Sequence, residues 1–576
     1  MRRFRAAVLL LFALVGAGLL VDLATARPAS AHATVVTTTP TDGARLESAP
    51  AEVTIDFDEH VSLGAGYARV LDGNGDRVDT GAAAVRGEVL TVPLRTDLPD
   101  AGYVVTWRVL SADSHPVSGA SSFVVGNGQP VAAGSVSSRD SIDPAVAVLL
   151  PLARWIGYVG LALALGVPLA LATCWPEGWP LARLRRASLA GLVAVAFGGV
   201  LLLLVQGPYA AATGLGSLPD GRLLGTTVGS GYGRTLLARI ALAVFLGAVL
   251  ARGWRPGRRP GTAVLAVGAV LAAGLVVAVA AVGHPVAGSL RGLAVAVSAV
   301  HVAAMSGWLG GLFVVFAGLL RGGTPTRELD AALARWARLA GGYVGALVVT
   351  GGLQSVREVG SFSALVSTSY GWVLLAKLAV VLLVLVAALV SRDGVQQRTG
   401  GGRRPGRRVV AHAFAETGLR EPAPRVGIGV LRRSVLVELA GAVVVLVLSA
   451  VLVSQYPAKA AVAAPVAVTL PLQSASGSTG NGSVQISLAP AHPGPTTLMV
   501  YLFDADGQLT QPREIAVGLT EVQQQIGPLD VQLAAAGPGH YVADPVLPAA
   551  GTWTLTVTVR LDEFTAVTAS TVFPVR

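Results

Sequence analysis

Three residues of this chain carry the atoms that metal chemistry needs: His32, Asp113 and His115. Arg2, Arg3 and Arg5 precede an apolar run over 6–21, and Ala29-Ser30-Ala31 then offers the small residues at −3 and −1 that signal peptidase accepts. Cleavage there makes His32 the first residue; an uncleaved anchor is the other reading. A free amino-terminal histidine presents its α-amine and its ring nitrogen to one ion as a chelate. Neutral imidazole nitrogens joined by a carboxylate suit Cu(II) in a tetragonal N/O site. In Ser111-Ala-Asp113-Ser-His115-Pro116 the acid and the histidine stand two apart at an expected strand end, which turns both the same way. The same pair also reads as an ordinary surface Asp and His before Pro116. The single cysteine, Cys174, excludes an intrachain disulfide and any thiolate-cluster site.

A second set lies in apolar surroundings, where ionisable side chains are costly and become functional candidates. His301 falls about twelve residues into an apolar stretch, and His284 stands in Val-Gly-His284-Pro at the end of another. Arg239, Lys377 and Glu438 are the charged residues of such stretches. Each has a structural account as well: an interfacial loop histidine at 284, a hydrogen-bonded core histidine at 301, cations snorkelling to headgroups. No GxxxxGK[ST], Asp-Lys-Thr-Gly, GxSxG or HExxH motif occurs, so ATP-driven pumping and nucleotide binding have no support and no enzymatic activity is expected.

The elements that must hold these residues are of two kinds. The chain is 53% hydrophobic and 13% charged, against about 45–50% and about 25% for soluble proteins, and its mean hydropathy is +0.63. A wholly soluble protein is excluded. After the signal peptide (1–31), residues 32–126 alternate in short stretches punctuated by Asp72-Gly-Asn-Gly and Pro99-Asp-Ala-Gly, as an all-β sandwich does. A Gly/Ser/Pro-rich linker occupies 127–143. Residues 144–456 form a membrane domain of eight spans, near 144–173, 187–212, 233–252, 261–283, 289–320, 333–356, 371–391 and 434–455. A linker (457–483) leads to a second β-sandwich (484–576), whose His492 and His540 read as surface histidines.

The charge of +10 is carried by arginine, since the only lysines are Lys377 and Lys459. It gathers in alternate loops: Arg183, Arg185 and Arg186; Arg252, Arg255, Arg258 and Arg259; Arg321, Arg327, Arg335 and Arg338; then ten arginines from Arg392 to Arg433. The positive-inside rule makes those loops cytoplasmic and both terminal domains extracytoplasmic, a topology signal and not a nucleic-acid patch. The spans also repeat. Gly231-Tyr232-Gly233-Arg-Thr-Leu-Leu-Ala-Arg239 parallels Ser369-Tyr370-Gly371-Trp-Val-Leu-Leu-Ala-Lys377, and Gln206-Gly207 and Thr350-Gly351 precede them, which implies two parallel four-helix repeats.

With its HAxxVxxxPxxGA start, Phe57-Asp58-Glu59, Trp107-Arg108-Val109 and SADSHPVSG, segment 32–125 resembles the CopC family of secreted copper-binding sandwiches of Ig/cupredoxin-like form. The resemblance implies His32, Asp113 and His115 as Cu(II) ligands and, as in some members, Glu59. His60 beside it is outside that pattern and is an additional candidate. The Met-rich Cu(I) segment of that family has no counterpart. His301 with Trp308-Leu-Gly310-Gly311-Leu, Val349-Thr350-Gly351-Gly352 and TSYGWVLLAK resemble the CopD membrane domain, and the whole resembles CopC/CopD fusions of the YcnJ type. The resemblance implies a multi-pass plasma-membrane protein that captures copper outside and moves it across the bilayer, as import, with His284 and His301 as membrane ligand candidates. Its expected partners are the copper ion, the lipid bilayer and an extracytoplasmic copper chaperone of unknown identity. Two other readings stay open: a membrane redox protein in which His284 or His301 ligates haem and captured copper is reduced, and surface sequestration of copper.

Overall fold

A computed structural model describes residues 33, 35–128, 131, 142–287, 290–398, 427–459, 466–474, 479–489, 491, 493–505, 509–521, 523–549, 551–563 and 565–575. The expected signal peptide, His32 and His492 lie outside the described residues.

The N-terminal domain packs two four-stranded sheets, ordered β1-β3-β6-β5 and β2-β8-β7-β4. Its strands are β1 (Val35–Thr39), β2 (Ala44–Leu46), β3 (Glu52–Phe57), β4 (Ser62–Asp72), β5 (Ala84–Arg86), β6 (Val89–Pro93), β7 (Gly102–Leu110) and β8 (Pro116–Val125). Alternation does the sorting in β3, where Val53, Ile55 and Phe57 are buried and Glu52, Thr54 and Asp56 are not. All nine residues of β7 are buried. Tyr103, Val105, Trp107 and Val109 enter the core between the sheets, while the opposite face of the strand meets the helical domain through Arg108. A strand covered on both faces loses the exposed half of its alternation.

Eight helices are long and apolar enough to cross a membrane. They are α1 (Pro144–Thr173), α2 (Ala182–Ala211), α3 (Gly231–Gly253), α4 (Thr262–Ala280), α5 (Arg291–Ala317), α6 (Thr326–Val359), α7 (Ser369–Arg398) and α8 (Ile428–Leu452). Asp143 starts α1 by accepting from Ala145 N at 2.9 Å and Val146 N at 3.2 Å, with Pro144 in the first position where no donor is lost. Helices α1 and α5 cross at the centre. There Gly166 and Gly310 meet so closely that a Cβ on Gly310 would stand 2.4 Å from the Gly166 Cα, and only small residues allow that approach. Each of α1 to α4 packs on the next, as does each of α5 to α8, and α4 packs on α5 as α8 packs on α1.

The C-terminal domain is one antiparallel sheet of nine strands, ordered β14-β13-β18-β19-β9-β10-β12-β16-β15, beside a two-stranded β11-β17 ribbon. These strands are β9 (Val466–Ser474), β10 (Thr479–Ala489), β11 (Gly494–Pro495), β12 (Thr497–Phe503), β13 (Glu514–Glu521), β14 (Ile526–Val531), β15 (Ala534–Gly537), β16 (His540–Ala543), β17 (Val546–Leu547), β18 (Gly551–Arg560) and β19 (Ala566–Val575). The two separate sheets expected for a sandwich are here a single sheet, joined where Val567 pairs Ser474 and Thr568 pairs Gln473. Its two halves share one core, with Leu472, Ile486 and Val500 from one and Trp553, Val557 and Phe573 from the other. The domain also begins earlier than expected. Residues 466–474, taken as linker, form β9 against β10, because the apolar alternation of Val466-Ala-Val-Thr-Leu-Pro-Leu starts there.

Candidate metal centre between the N-terminal domain and the helices

Segment 111–115 is the turn from β7 to β8. Ser111 N donates to His115 O at 3.0 Å and Ser114 N to Ser111 O at 2.9 Å, with Ser114 held at φ 72°. Asp113 Oδ1 accepts from His115 N at 3.2 Å and from the Ser111 hydroxyl, so the carboxylate is turned in toward the imidazole. Strand alternation was the expected cause of the common direction; the tight turn is the actual one. His115 Nδ1 lies 3.1 Å from Asp113 Oδ1.

The third residue comes from far along the chain. Gly283, at φ 77°, breaks the chain out of α4, and His284-Pro285-Val286 forms one short 3-10 turn before α5. This carries His284 to Asp113, with Nδ1 3.3 Å from Oδ2. The rings of His115 and His284 lie parallel within 8° at 5.2 Å between centroids. Asp113 and His115 are 2% exposed and His284 7%. One donor atom of each lies within 4.8 Å of the others, close to the spread of ligands held about 2 Å from a common ion. The donor set of two imidazoles and a carboxylate is one that borderline divalent metals accept.

The surroundings fix this arrangement. Gln206 of α2 donates to Ser114 O at 3.0 Å, and Tyr456, just past α8, donates to Pro116 O at 2.9 Å. Arg108 of β7 donates to Ala210 O at 2.5 Å and to Tyr209 O at 3.2 Å, the last carbonyls of α2, where the helix dipole is negative. Burial pushes the His115 imidazole below its usual range in spite of Asp113. Burial also acts downward on His284, but there the Asp113 hydrogen bond and the carboxylates of Glu358 and Asp113 outweigh it and the group is raised.

The other expected ligands are distributed as follows. Glu59 is buried beside the turn, its Oε1 accepting from Ala112 N at 3.3 Å, outside the three-residue group. Burial, then the Asp113 charge, raises it to about 7. His60 is not brought to the group. Its side chain is 64% exposed and 3.4 Å from Glu88, at the rim of a cleft of about 370 Å³ that leads past Ser111 and Ala112 to Gln206 and Tyr232. His301 lies within the bundle, Nδ1 2.8 Å from the Thr350 hydroxyl of α6. That hydroxyl also lies 2.6 Å from Ala346 O; with its hydrogen there it accepts from His301 Nδ1–H, which leaves the Nε2 lone pair for another partner. Arg239 is buried against Gly157, among Tyr158, Tyr232 and Arg154, and Glu438 lines a largely apolar cavity with Trp308 and Trp336. Sequence reasoning passed over Gln206 and Arg108 as contacts of this site, although both stood in the motifs it used. Tyr456 and Glu358 gave no signal.

Known families match this chain in its N-terminal domain, where Asp113 and His115 stand, and in the second half of its helical domain. The CopC domain family matches residues 35–126, and the copper resistance protein D family, CopD, matches residues 330–452. The copper transport protein CutJ of Bacillus subtilis is 30% identical over 387 residues, 65% of this chain and 70% of that protein. The chain belongs to the CopC/CopD copper-transport family. It is a multi-pass membrane protein of that family, with copper as its ligand. Protein YobA of Escherichia coli K12 is 32% identical over 99 residues, 16% of this chain and 79% of YobA. The crystal structure of CopC from Methylosinus trichosporium OB3b is 30% identical, covering 16% of this chain and 93% of that one, with a TM-score of 0.16.

Proposed function

We propose that the N-terminal domain, outside the cell, captures Cu(II) through His32, Asp113 and His115, and that His284 then draws the ion into the helical domain for import without ATP. The single observation that supports this most is the shared carboxylate: Asp113 has one oxygen at His115 and the other at His284. An ion can exchange its outer ligands for His284 while it keeps Asp113. Both β-domains lie at one end of the bundle, with Arg108 on the end of α2 and Tyr456 after α8, and the described turns that hold Arg185, Arg258 and Arg321 lie at the other end, which supports an inward path from there. His301, with Nε2 set free by Thr350, stands farther along as a neutral nitrogen ligand. The membrane potential favours inward movement of a cation by about 2.3 kcal/mol per charge per 100 mV.

The test compares His115→Ala and His284→Ala in full-length protein reconstituted in vesicles. His115→Ala is expected to lose an equatorial nitrogen from the Cu(II) paramagnetic resonance spectrum. His284→Ala is expected to retain capture and lose at least tenfold in copper uptake. Wild-type uptake by well-assembled His284→Ala would remove His284, and the transfer step with it.

A further inference from the structure

The relay from Asp113 to His284 does not use a buried acid that stands close to its loop. Glu358, in the last turn of α6, is 6% exposed. Its Oε1 lies 3.8 Å from Arg357 Nε, and its Oε2 has no hydrogen-bond partner among the described residues. A carboxylate oxygen shut away from water demands a donor or a cation, and in a membrane helix such a residue points to a ligand.

Two observations place this oxygen on the copper route. Arg357 Nη2 donates to Ala287 O at 2.6 Å, which ties the last turn of α6 to the loop that carries His284. The other observation is helical phase. Gly351 faces the His301 ring so closely that a Cβ there would stand 3.5 Å from Cε1. Glu358 is seven residues on, two turns later, so it shares that face of α6 about 10 Å farther along the axis. Gln354 falls on the same face between them, and the Ser355 hydroxyl donates back to Gly351 O at 2.8 Å. The face of α6 that meets His301 is thus polar up to the loop of His284.

We propose that Glu358 is the copper ligand between His284 and His301, receiving the ion on Oε2 and passing it along this face of α6. The proposal rests on the relay reading above. A carboxylate between two imidazoles is a hard N/O environment, so the ion that travels this far is Cu(II) and not Cu(I).

Full-length protein in vesicles, with Cu(II) as the probe, provides the test. Glu358→Gln keeps the shape and the carbonyl near Arg357 but removes the charge. Its Cu(II) resonance spectrum should match wild type, while uptake should fall at least tenfold. Glu358→His, which restores a ligand without a carboxylate, should recover uptake to within about threefold. A role limited to holding Arg357 predicts the reverse, normal uptake in Gln and no recovery in His, and that result overturns the proposal. Should the Gln variant not assemble, Glu358→Asp keeps the charge and shortens the reach. Capture should then persist with several-fold slower uptake, and unchanged uptake would equally overturn it. His284→Ala run alongside separates the two levels: uptake lost there but normal in Glu358→Gln rejects this ligand alone, whereas normal uptake in both rejects the relay.

Discussion

At the scale of single residues, an imidazole can bind metal only through a nitrogen that carries no proton. Thr350 decides this for His301: with its hydrogen on Ala346 O it accepts from Nδ1–H and the free nitrogen is Nε2. Thr350→Val keeps the volume, removes the acceptor and frees the ring to change tautomer. Uptake should fall on the order of tenfold, in keeping with the 10–100-fold effect of losing an outer-shell partner. Thr350→Ser should restore it, and equal uptake by the Val and wild-type proteins would show that the tautomer does not matter. How much of the site could be read without coordinates follows from the kind of signal each residue gives. Asp113 and His115 were legible because two ligand types at a two-residue spacing are unusual, and the CopC resemblance named them. His284 was legible only as a histidine beside a proline at a membrane edge, since nothing local says which domain will meet it. Glu358 was not legible. Next to Arg357 it reads as the charged end of an apolar helix, and its burial is a property of the packed loop. His540 misled in the opposite direction: without a paired spacing it reads as a surface residue, yet it is buried and stacked on Tyr501 at 4.2 Å.

At the scale of elements, the spans were legible and their ends were not. Helix α2 begins at Ala182, before its apolar run, because Arg185 continues the helix while donating to Trp254 O at 2.5 Å and Ala251 O at 3.0 Å. Hydropathy cannot count such residues into a helix. The other end of α2 matters more for function. A helix end leaves its last carbonyls without intrahelical donors, and Arg108 from β7 satisfies two of them while bonding Ser118 Oγ at 3.1 Å within its own sheet. One strand and one helix are thereby fixed to each other beside the metal centre. Arg108→Met removes the charged donors and retains much of the apolar stem. Each hydrogen bond to a charged group contributes about 1.5–3 kcal/mol, so the N-terminal domain should separate from the helices for a measurable fraction of the time. Cu(II) affinity should stay within about threefold of wild type while uptake drops at least tenfold. A matching loss of affinity would place Arg108 in the folding of the domain and not in its docking.

At the scale of the whole molecule, the C-terminal domain holds the N-terminal domain from its other side. Tyr501 OH lies 2.9 Å from Ser122 Oγ, and Gly43 sits against the His540 ring, where an added Cβ would be 2.9 Å from Cε1; within the N-terminal domain, Asp42 Oδ1 accepts from Ser122 N at 2.7 Å. Gly43 also has φ 75°, so a β-branched residue there is both strained and crowded. Asp42 and His540 titrate in opposite senses across this contact. Burial raises Asp42 from 3.8 to about 6, so the docked form holds a proton that the separated form releases, and docking weakens as pH rises from about 4 to 6. Burial lowers His540 from 6.5 to about 4, so the separated form takes up a proton that the docked form excludes, and docking weakens as pH falls from about 6.5 to 4. The two slopes oppose each other over nearly the same interval, with Tyr501 between the groups neutral throughout. Wild-type docking should therefore be almost independent of pH from 4 to 6. Asp42→Asn can still accept from Ser122 N but no longer titrates, so only the His540 slope is left, and the contact should loosen progressively below pH 6.5. Hydrogen exchange at residues 120–124 of β8 reads the contact directly: it should be flat with pH in wild type, after correction for intrinsic rates, and rise on acidification in Asp42→Asn. Equal profiles in the two proteins would mean that these groups do not sense docking, and that the domains are held by Tyr501, Ser122 and the fit of Gly43 alone.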